Sequence, residues 1–179
     1  MPDILPFLNH EDIKRLISAL AKRISTDYRD QDLVVIGILK GAFIFLSDLV
    51  RQLSIPVEID FIGASSYGQN THSSEKIRIT KEIDIDILNK NVLIVEDIVD
   101  TGLTMVFLVE HLKSFSPKTV KICALLDKKE RRKTDIHIDY VGQRVAGGFL
   151  VGYGLDYGEK YRNLPGIYRL KLSSSEEKL

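Results

Sequence analysis

The segment 91–104, N-V-L-I-V-E-D-I-V-D-T-G-L-T, joins an apolar run to three carboxylates and a turn rich in hydroxyl groups. The run 92–95 is too short for a helix of its own, and its β-branched residues predict a strand buried on both faces of a parallel sheet. Glu96, Asp97 and Asp100 then supply the oxygen acceptors that sugar hydroxyls and Mg²⁺ require. The spacing therefore predicts a sugar phosphate site at the carboxyl edge of the sheet.

The turn that follows these acids opens a predicted helix. Backbone N–H groups at a helix N-terminus bind phosphate dianions, and a glycine there permits close approach. The predicted phosphate cradle consists of Thr101, Gly102, Leu103 and Thr104. An ordinary helix N-cap by Asp100 or Thr101 is the alternative interpretation of the turn. The preceding strand and the paired acids favour the ligand site.

The segment 92–104 resembles the phosphoribosyl diphosphate signature of the type I phosphoribosyltransferases, and its E-D-I-V-D-T-G form is similar to the hypoxanthine-guanine branch. Four further motifs agree in order: L-K-G at 39–41, S-Y-G at 66–68, L-L-D-K at 125–128 and F-L-V-G-Y-G-L-D-Y at 149–157. The resemblance spans about Val34 to Arg162. It implies an α/β fold with a central, mainly parallel sheet flanked by helices, a small hood and a flexible hairpin loop.

The resemblance also implies an activity. This is the Mg²⁺-dependent transfer of a 5-phosphoribosyl group from phosphoribosyl diphosphate to hypoxanthine, guanine or both, which yields IMP or GMP and pyrophosphate in purine salvage. Asp100 is the implied general base and acid. The implied metal ligands are Glu96, Asp97 and Asp156. The implied contacts of the phosphoribosyl group and its 5′-phosphate are Glu96, Asp97, Asp100, Thr101, Gly102, Leu103 and Thr104.

The pyrophosphate site implied by the resemblance consists of Lys40, Gly41 and Arg162. Taken alone, Lys40 at a strand-to-helix junction and Arg162 are typical of solvated surface charges. A lysine followed by glycine at the carboxyl edge of a sheet nevertheless places an ammonium and a backbone N–H where a pyrophosphate can bind. In relatives the peptide between the positions of Lys40 and Gly41 is often cis.

The purine site implied by the resemblance consists of Lys128, Phe149, Leu150 and Asp156. Lys128 would donate to the 6-oxo oxygen, which disfavours adenine. Phe149 would stack on the base, whereas by base rate an aromatic before an apolar run belongs to the core. Leu150 and Asp156 would use backbone carbonyls at the second edge of the purine. The other cations of the basic run 128–133 are interpreted as a solvated loop.

The chain departs from the family pattern in three places. Residues 145–148, V-A-G-G, replace a segment with Pro and Asp before the stacking aromatic, which predicts a more flexible turn. Lys129-Glu130 replaces a Pro-Ser pair that is common in bacterial relatives. Leu103 removes a cation or polar group from the phosphate turn, so the 5′-phosphate would depend more on backbone donors and Thr104.

Hydrophobic periodicity predicts alternating helices and strands along a single domain, 1–179. The hood is expected from the N-terminal segment and about 136–170, a mobile loop at about 65–76 and a frayed tail at 173–179. Ser66 and Tyr67 would close the loop over the site and exclude water. Helices are predicted at 11–28, 42–53 and 103–115. Strands are predicted at 33–39, 57–64, 76–82, 92–95, 118–126 and, outside the main sheet, 136–142.

The composition favours a cytoplasmic enzyme. The 25 basic and 25 acidic residues balance, so no global attraction to nucleic acid or an anionic membrane is expected. The single cysteine, Cys123, lies in an apolar run and is predicted to be a buried small hydrophobe. No membrane span or signal peptide is expected. Relatives form homodimers or homotetramers, and Phe43, Phe45 and Leu46 are candidates for a partner-facing surface.

Two rival functions stay open at this level. One is a regulator that binds nucleic acid and uses the phosphoribosyl site as a sensor, which would need a basic face beyond the short run 128–133. The other is an enzyme of the same fold that acts on xanthine or a pyrimidine. A kinase is disfavoured because the sequence lacks G-x-x-x-x-G-K-S/T.

Overall fold

The computed structural model describes residues 3–67 and 76–171. Within them the strands form a six-stranded sheet in the order β4-β3-β2-β5-β6-β7 and a three-stranded sheet in the order β1-β9-β8. The elements are β1 (Ile4–Leu8), α1 (His10–Asp27), β2 (Leu33–Leu39), α2 (Phe43–Val50), β3 (Glu58–Tyr67), β4 (Lys76–Lys81), β5 (Asn91–Val99), α3 (Leu103–Lys113), β6 (Thr119–Lys128), β7 (Tyr140–Val145), β8 (Phe149–Val151) and β9 (Ile167–Leu170).

The large sheet is parallel except for its edge strand β4, which pairs antiparallel with β3. Strand β2 has the predicted bounds. Strand β5 is longer than its predicted apolar run, because pairing with β6 continues through Glu96 to Val99. The first two acids of the signature therefore lie on the strand itself, and Asp100 follows directly after it.

The two faces of the large sheet bury different helices, because successive strand residues point to opposite sides. Val35 and Leu93 pack on the face covered by α1 and α2. Val34 and Val92 pack on the face covered by α3. This confirms the predicted α/β architecture. Cys123 is fully buried, as predicted, and burial raises the pKa of its thiol, so it stays protonated.

The predicted strand at 136–142, outside the main sheet, is wrong in place and in bounds. Strand β7 begins at Tyr140 and pairs parallel with β6, so it is the edge strand of the large sheet. Its position is set by packing, since Tyr140 is almost fully buried and a side chain at Gly142 would contact the Leu125 carbonyl oxygen at 2.5 Å. Such contacts with a distant strand leave no periodic signal in the sequence.

The small sheet takes β1 from the N-terminal segment and β8 and β9 from the C-terminal part. Sequence patterns miss β1 and β9, because both strands are short and β1 contains Pro6. Residues 65–67 continue β3 and pair with β4, so they are strand rather than loop. The rest of the predicted mobile loop, 68–75, and the predicted tail lie outside the described residues. Within residues 3–67 and 76–171, no helix is long and apolar enough to cross a membrane.

A buried carboxylate on β3 fastens the segment that leads into β5. Asp60 accepts hydrogen bonds from the N–H groups of Phe61, Asp84 and Ile85 at 2.7, 2.6 and 3.0 Å. Lys81 Nζ lies 3.5 Å from its Oδ1. Burial by itself raises the pKa of Asp60, but the backbone donors and Lys81 outweigh it and lower the pKa below the ordinary 3.8.

Replacing Asp60 with asparagine is expected to lower the free energy of unfolding at neutral pH by about 1–3 kcal/mol, because charged acceptors make the stronger hydrogen bonds. A carboxyl with a lowered folded pKa stabilises above its unfolded pKa, and that contribution is lost as the pH falls through the folded pKa. Denaturant unfolding should therefore show a difference in the free energy of unfolding between the unmodified protein and Asp60→Asn. This difference should narrow as the pH falls below 3.8, the ordinary pKa of the carboxyl.

Asp84→Asn is the matched control. Asp84 also pairs with Lys81, at 3.0 Å, but its side chain is 85% exposed. Its replacement should change stability little, since exposed ion pairs contribute weakly. Equal losses in the two variants would contradict the role assigned to Asp60.

Candidate active site

The carboxyl ends of β2, β5 and β6 meet at one edge of the large sheet, because these neighbouring strands are parallel. Strand β2 ends at the Lys40-Gly41 loop, β5 ends before Asp100, and β6 ends at Lys128. Three motifs that lie far apart in the sequence are thus adjacent in space. This is the edge at which open α/β sheets bind ligands.

Asp100 and Lys128 form the centre of this edge. Lys128 Nζ lies 3.5 Å from Asp100 Oδ2, and the Lys128 side chain is only 8% exposed. Asp100 Oδ1 is buried and has no hydrogen-bond partner among the described residues. A buried acceptor without a partner costs free energy unless a ligand supplies a donor. The pair therefore presents an unsatisfied carboxylate oxygen beside an ammonium group.

Arg132 fixes the backbone around Asp100. Its guanidinium donates to the carbonyl of Asp100 at 2.8 Å, to that of Val99 at 3.2 Å and to Asp127 Oδ1 at 2.5 Å. The interpretation of Arg132 as part of a solvated loop is wrong, since its side chain is 15% exposed. Its partner Asp127 is the feature of the sequence that could have indicated this contact. An acid at the end of a buried strand requires a cation or hydrogen-bond donors.

The phosphate turn begins the helix as the sequence predicts. Gly102 is the N-cap of α3, has φ 82° and makes no side-chain cap. The alternative of an ordinary N-cap by Asp100 or Thr101 is therefore wrong; Thr101 Oγ1 accepts only a long bond, 3.4 Å, from Leu103 N. A side chain at Gly102 would meet Thr134 Oγ1 at 2.5 Å. Helix α3 begins three residues after Asp100, so its first turn lies at the same edge of the sheet as the acids.

The loop after β2 packs tightly against the signature acids. A side chain at Gly41 would collide with the Asp97 carboxylate, and one at Gly154, where φ is +101°, would collide with the Gly41 carbonyl oxygen. Only glycine fits at these two positions. The cis peptide in this loop joins Leu39 to Lys40, one bond before the position inferred from the resemblance.

A network of ion pairs crosses the predicted pyrophosphate site. Lys40 Nζ lies 2.7 Å from Glu159 Oε2, and the Arg162 guanidinium lies 2.9 Å from Asp156 Oδ1 and 3.4 Å from Glu159 Oε1. Arg162 also donates to the Gly154 carbonyl at 2.7 Å. Sequence reasoning missed Glu159, which belongs to a charged turn with no motif signal of its own. Arg162 Nε is buried without a partner among the described residues.

The paired acids differ in burial. Asp97 is 7% exposed, whereas Glu96 is partly exposed. Burial raises the pKa of Glu96 well above its usual value, and the neighbouring Asp97 adds to the shift. Burial also raises the pKa of Asp97, while the Ile98 N–H and Arg162 oppose the shift. Two adjacent carboxyls, one of them buried, favour a bound proton, cation or hydroxyl donor over two free charges.

The aromatic predicted to stack on a base is available for contact. Phe149 is 37% exposed, so it is not a core residue, and its ring meets Tyr157 edge to face with centroids 5.3 Å apart. Leu150, the next residue on β8, is buried.

The backbones of Ser66 and Tyr67 pair with those of Ile77 and Lys76 in β3 and β4. The side chains of these two predicted lid residues are not described by the structure.

A family model, curated relatives and solved structures all relate this chain to the same family. Residues 6–158 match the family model of the phosphoribosyl transferase domain. A hypoxanthine-guanine phosphoribosyltransferase of Aquifex aeolicus is 52% identical over 165 residues, which cover 92% of this chain and 93% of that one. Its Bacillus subtilis counterpart is 43% identical over 164 residues, which cover 92% and 91%. A Staphylococcus aureus hypoxanthine phosphoribosyltransferase structure has a TM-score of 0.89 at 44% identity, covering 93% and 90%.

These matches agree with the parallel sheet, the glycine-rich loops and the acidic signature at its carboxyl edge. The chain belongs to the phosphoribosyltransferase family. The similarity extends over most of the length of the two bacterial relatives, and both lie in one branch of the family. The protein is a transferase of this hypoxanthine-guanine branch.

Proposed function

We propose that this enzyme transfers the 5-phosphoribosyl group of phosphoribosyl diphosphate to hypoxanthine and guanine, with release of pyrophosphate and formation of IMP or GMP. The observation that supports this most directly is the Asp100–Lys128 pair. A carboxylate oxygen without a partner and an ammonium group lie beside the first turn of α3. This arrangement suits a 6-oxopurine with a ring N–H, placed next to a phosphorylated sugar.

The purine would lie between Lys128 and Phe149. Lys128 donates to the 6-oxo oxygen. Its ammonium group cannot accept a hydrogen bond from an amino group, so adenine is a poor substrate. The exposed Phe149 ring supplies a stacking surface. The backbone carbonyls of Leu150 and Asp156 accept from the second edge of the base. They favour the amino group of guanine and disfavour the second oxo group of xanthine.

The phosphoribosyl diphosphate would span the rest of the edge. The ribose hydroxyls are bound by Glu96 and Asp97, and the 5′-phosphate by the cradle 101–104. The diphosphate is bound by Lys40, Gly41 and Arg162. Since Lys40 and Arg162 both pair with Glu159, diphosphate binding exchanges one anion for another at these cations.

The donor set fits a magnesium ion that arrives with the substrate. Within the described residues no three acids, histidines or cysteines converge as a metal cluster. Mg²⁺ commonly takes one or two carboxylates together with substrate phosphates and water. The candidates for those carboxylates are Glu96, Asp97 and Asp156, of which one or two would bind the ion directly. The bound ion supplies charge neutralisation at the diphosphate.

The chemical step is displacement at the anomeric carbon. Departure of the diphosphate runs ahead of attack by the purine ring nitrogen, so Lys40 and Arg162 stabilise the charge that develops on the leaving group. Asp100 accepts the proton of the purine imidazole ring. The paired ends of β3 and β4, which carry Ser66 and Tyr67, close over the site and exclude water, which would otherwise capture the cationic sugar.

A substrate panel tests the proposed function. Hypoxanthine, guanine, xanthine, adenine and uracil are offered separately with phosphoribosyl diphosphate and Mg²⁺, and the nucleotide product is followed by absorbance. We expect turnover with hypoxanthine and guanine and little with the other three. Preferred turnover of xanthine or uracil would overturn the base assignment. No turnover with any base, in protein that binds the diphosphate, would favour the sensor function.

We also propose a cytoplasmic homo-oligomer that binds neither nucleic acid nor membrane. The partner-facing surface predicted on α2 needs correction: Phe45 and Leu46 pack in the core of their own chain, and only Phe43, 45% exposed, is available to a partner. Sedimentation at several protein concentrations tests the assembly. A monomer at every concentration would contradict it.

A further inference from the structure

The inference concerns Glu130, which lies in the loop after β6 and occupies one of the positions where the chain departs from the family pattern. Glu130 Oε2 lies 3.7 Å from Lys128 Nζ. The same oxygen accepts a hydrogen bond from Gly148 N at 3.2 Å. One carboxylate thus contacts both the predicted purine lysine and the turn that precedes Phe149.

The turn is shaped to receive this carboxylate. A side chain at Gly147 would meet Glu130 Oε2 at 2.5 Å and Cδ at 2.6 Å, and Gly148 has φ +94°. Arg169 donates to the Gly147 carbonyl from the other side, at 3.1 Å. The turn is therefore anchored at two points. The expectation that the glycine pair makes this turn more flexible does not account for these anchors.

Two of the departures from the family pattern are thus one structural unit. Residue 130 supplies the acceptor, and the glycines at 147 and 148 supply the space and the donor. The Glu130 side chain is 53% exposed, so burial does not explain why it reaches this turn. An exposed carboxylate contributes little to stability, but it can orient the groups that it contacts.

We infer that Glu130 is a positioning residue that fixes the distance between Lys128 and the turn before Phe149, and so sets the affinity for the purine base. This inference rests on the proposed function. Lys128 lies between two carboxylates, Asp100 Oδ2 at 3.5 Å and Glu130 Oε2 at 3.7 Å. Loss of Glu130 leaves Asp100 as the one ion-pair partner of Lys128 in the part of the chain that the structure describes, and it frees the turn at Gly148. The distance between the Lys128 ammonium group and the Phe149 ring is then no longer fixed.

The test compares steady-state kinetics of Glu130→Ala, Glu130→Gln and Gly147→Ala in the full chain. Glu130→Ala should raise KM for hypoxanthine and guanine about fivefold to tenfold, the effect of losing one hydrogen bond of ordinary net strength at an exposed side chain. Both kcat and KM for phosphoribosyl diphosphate should stay within about twofold. Glu130 contacts Lys128 and the turn at Gly148, and neither of these is assigned to the sugar or the diphosphate. Glu130→Gln keeps an acceptor for Gly148 N and should recover most of the base affinity.

Gly147→Ala provides an independent approach, because its added Cβ displaces the Glu130 carboxylate without removing it. Its KM for the base should rise, and the double variant with Glu130→Ala should be no worse than Glu130→Ala alone. Lys129→Ala, an exposed neighbour, is the matched control and should leave all constants unchanged. Should Glu130→Ala fail to fold, Gly147→Ala and Glu130→Gln decide the question.

Two results would overturn the inference: an unchanged KM for the base in Glu130→Ala, or equal increases in KM for base and diphosphate. GMP binding measured by calorimetry is the second readout and should weaken in the same variants. Failure of the proposed function is distinguishable, since it would appear in the unmodified protein as no turnover with hypoxanthine or guanine. If the unmodified enzyme turns over hypoxanthine and guanine and the variants keep its KM for the base, the role of Glu130 is rejected and the proposed function stands.

Discussion

Asp100→Asn is expected to lower kcat by about 10²–10⁴-fold, the usual contribution of a positioned general base. Asparagine has nearly the same shape, and its Oδ1 can still accept a hydrogen bond where Asp100 Oδ1 now lacks a partner. It has no carboxylate to receive the proton of the purine ring. KM for phosphoribosyl diphosphate should therefore change little while turnover collapses.

The loss should be specific to position 100. Asp135→Asn, at an exposed site in the loop before β7, is the matched control and should retain full turnover. Steady-state kinetics with both substrates varied provide the comparison, and calorimetry with GMP shows whether the site still binds nucleotide. Unchanged turnover in Asp100→Asn would remove Asp100 from proton transfer and leave it as a contact of Lys128.

Arg132→Met is expected to have the largest effect on stability, about 3–5 kcal/mol of the free energy of unfolding. The side chain of Asp127 is only 4% exposed and would lose the guanidinium at 2.5 Å. The carbonyls of Val99 and Asp100 would lose their donor as well. Because these carbonyls flank the predicted general base, turnover should fall along with stability. Denaturant unfolding and kcat are the two measurements.

Arg144→Met is the matched control for this prediction. Arg144 also faces Asp127, with its Nε 3.7 Å from Oδ2, but its side chain is 75% exposed. Its loss should cost less than about 1 kcal/mol. Adding Asp127→Asn to Arg132→Met should recover part of the stability, because the uncompensated buried charge is then gone. Equal losses in the two arginine variants, or no recovery, would contradict the assigned role of Arg132.

The strands and helices nearest the site were the most predictable part of the fold. The run of β2 is apolar and bounded by polar residues, so its ends coincide with the predicted ones. The start of α3 at Leu103 follows from the glycine before it. Strand β7 could not be found in this way, because Tyr140 is buried through contacts with α1 and β6 rather than through a local period. Strands β1 and β9 are likewise defined by their pairing with each other.

The residues of the site also differ in whether a local sequence pattern marks them. Asp100 and the turn at Gly102 were candidates from the sequence pattern, since they follow a buried strand and open a helix. Lys128, at the end of β6, was a candidate only through the family resemblance. Arg132 and Glu130 were not recognisable, because a short run of mixed charge looks the same whether its side chains meet solvent or distant backbone. Glu159 pairs with Lys40 across 119 positions of the chain. No local pattern encodes a contact of that range.

The amino-acid sequence alone determined the class of fold, the order of the elements around the site and the chemical groups at each strand end. Those properties depend on hydrophobic periods, turn residues and residue types, which act over a few positions. The tertiary structure alone decided which groups meet: Lys128 with both Asp100 and Glu130, and Arg132 with Asp127. Such pairings depend on how the sheet and its loops pack, because long charged side chains take their partners from whatever the fold brings within reach.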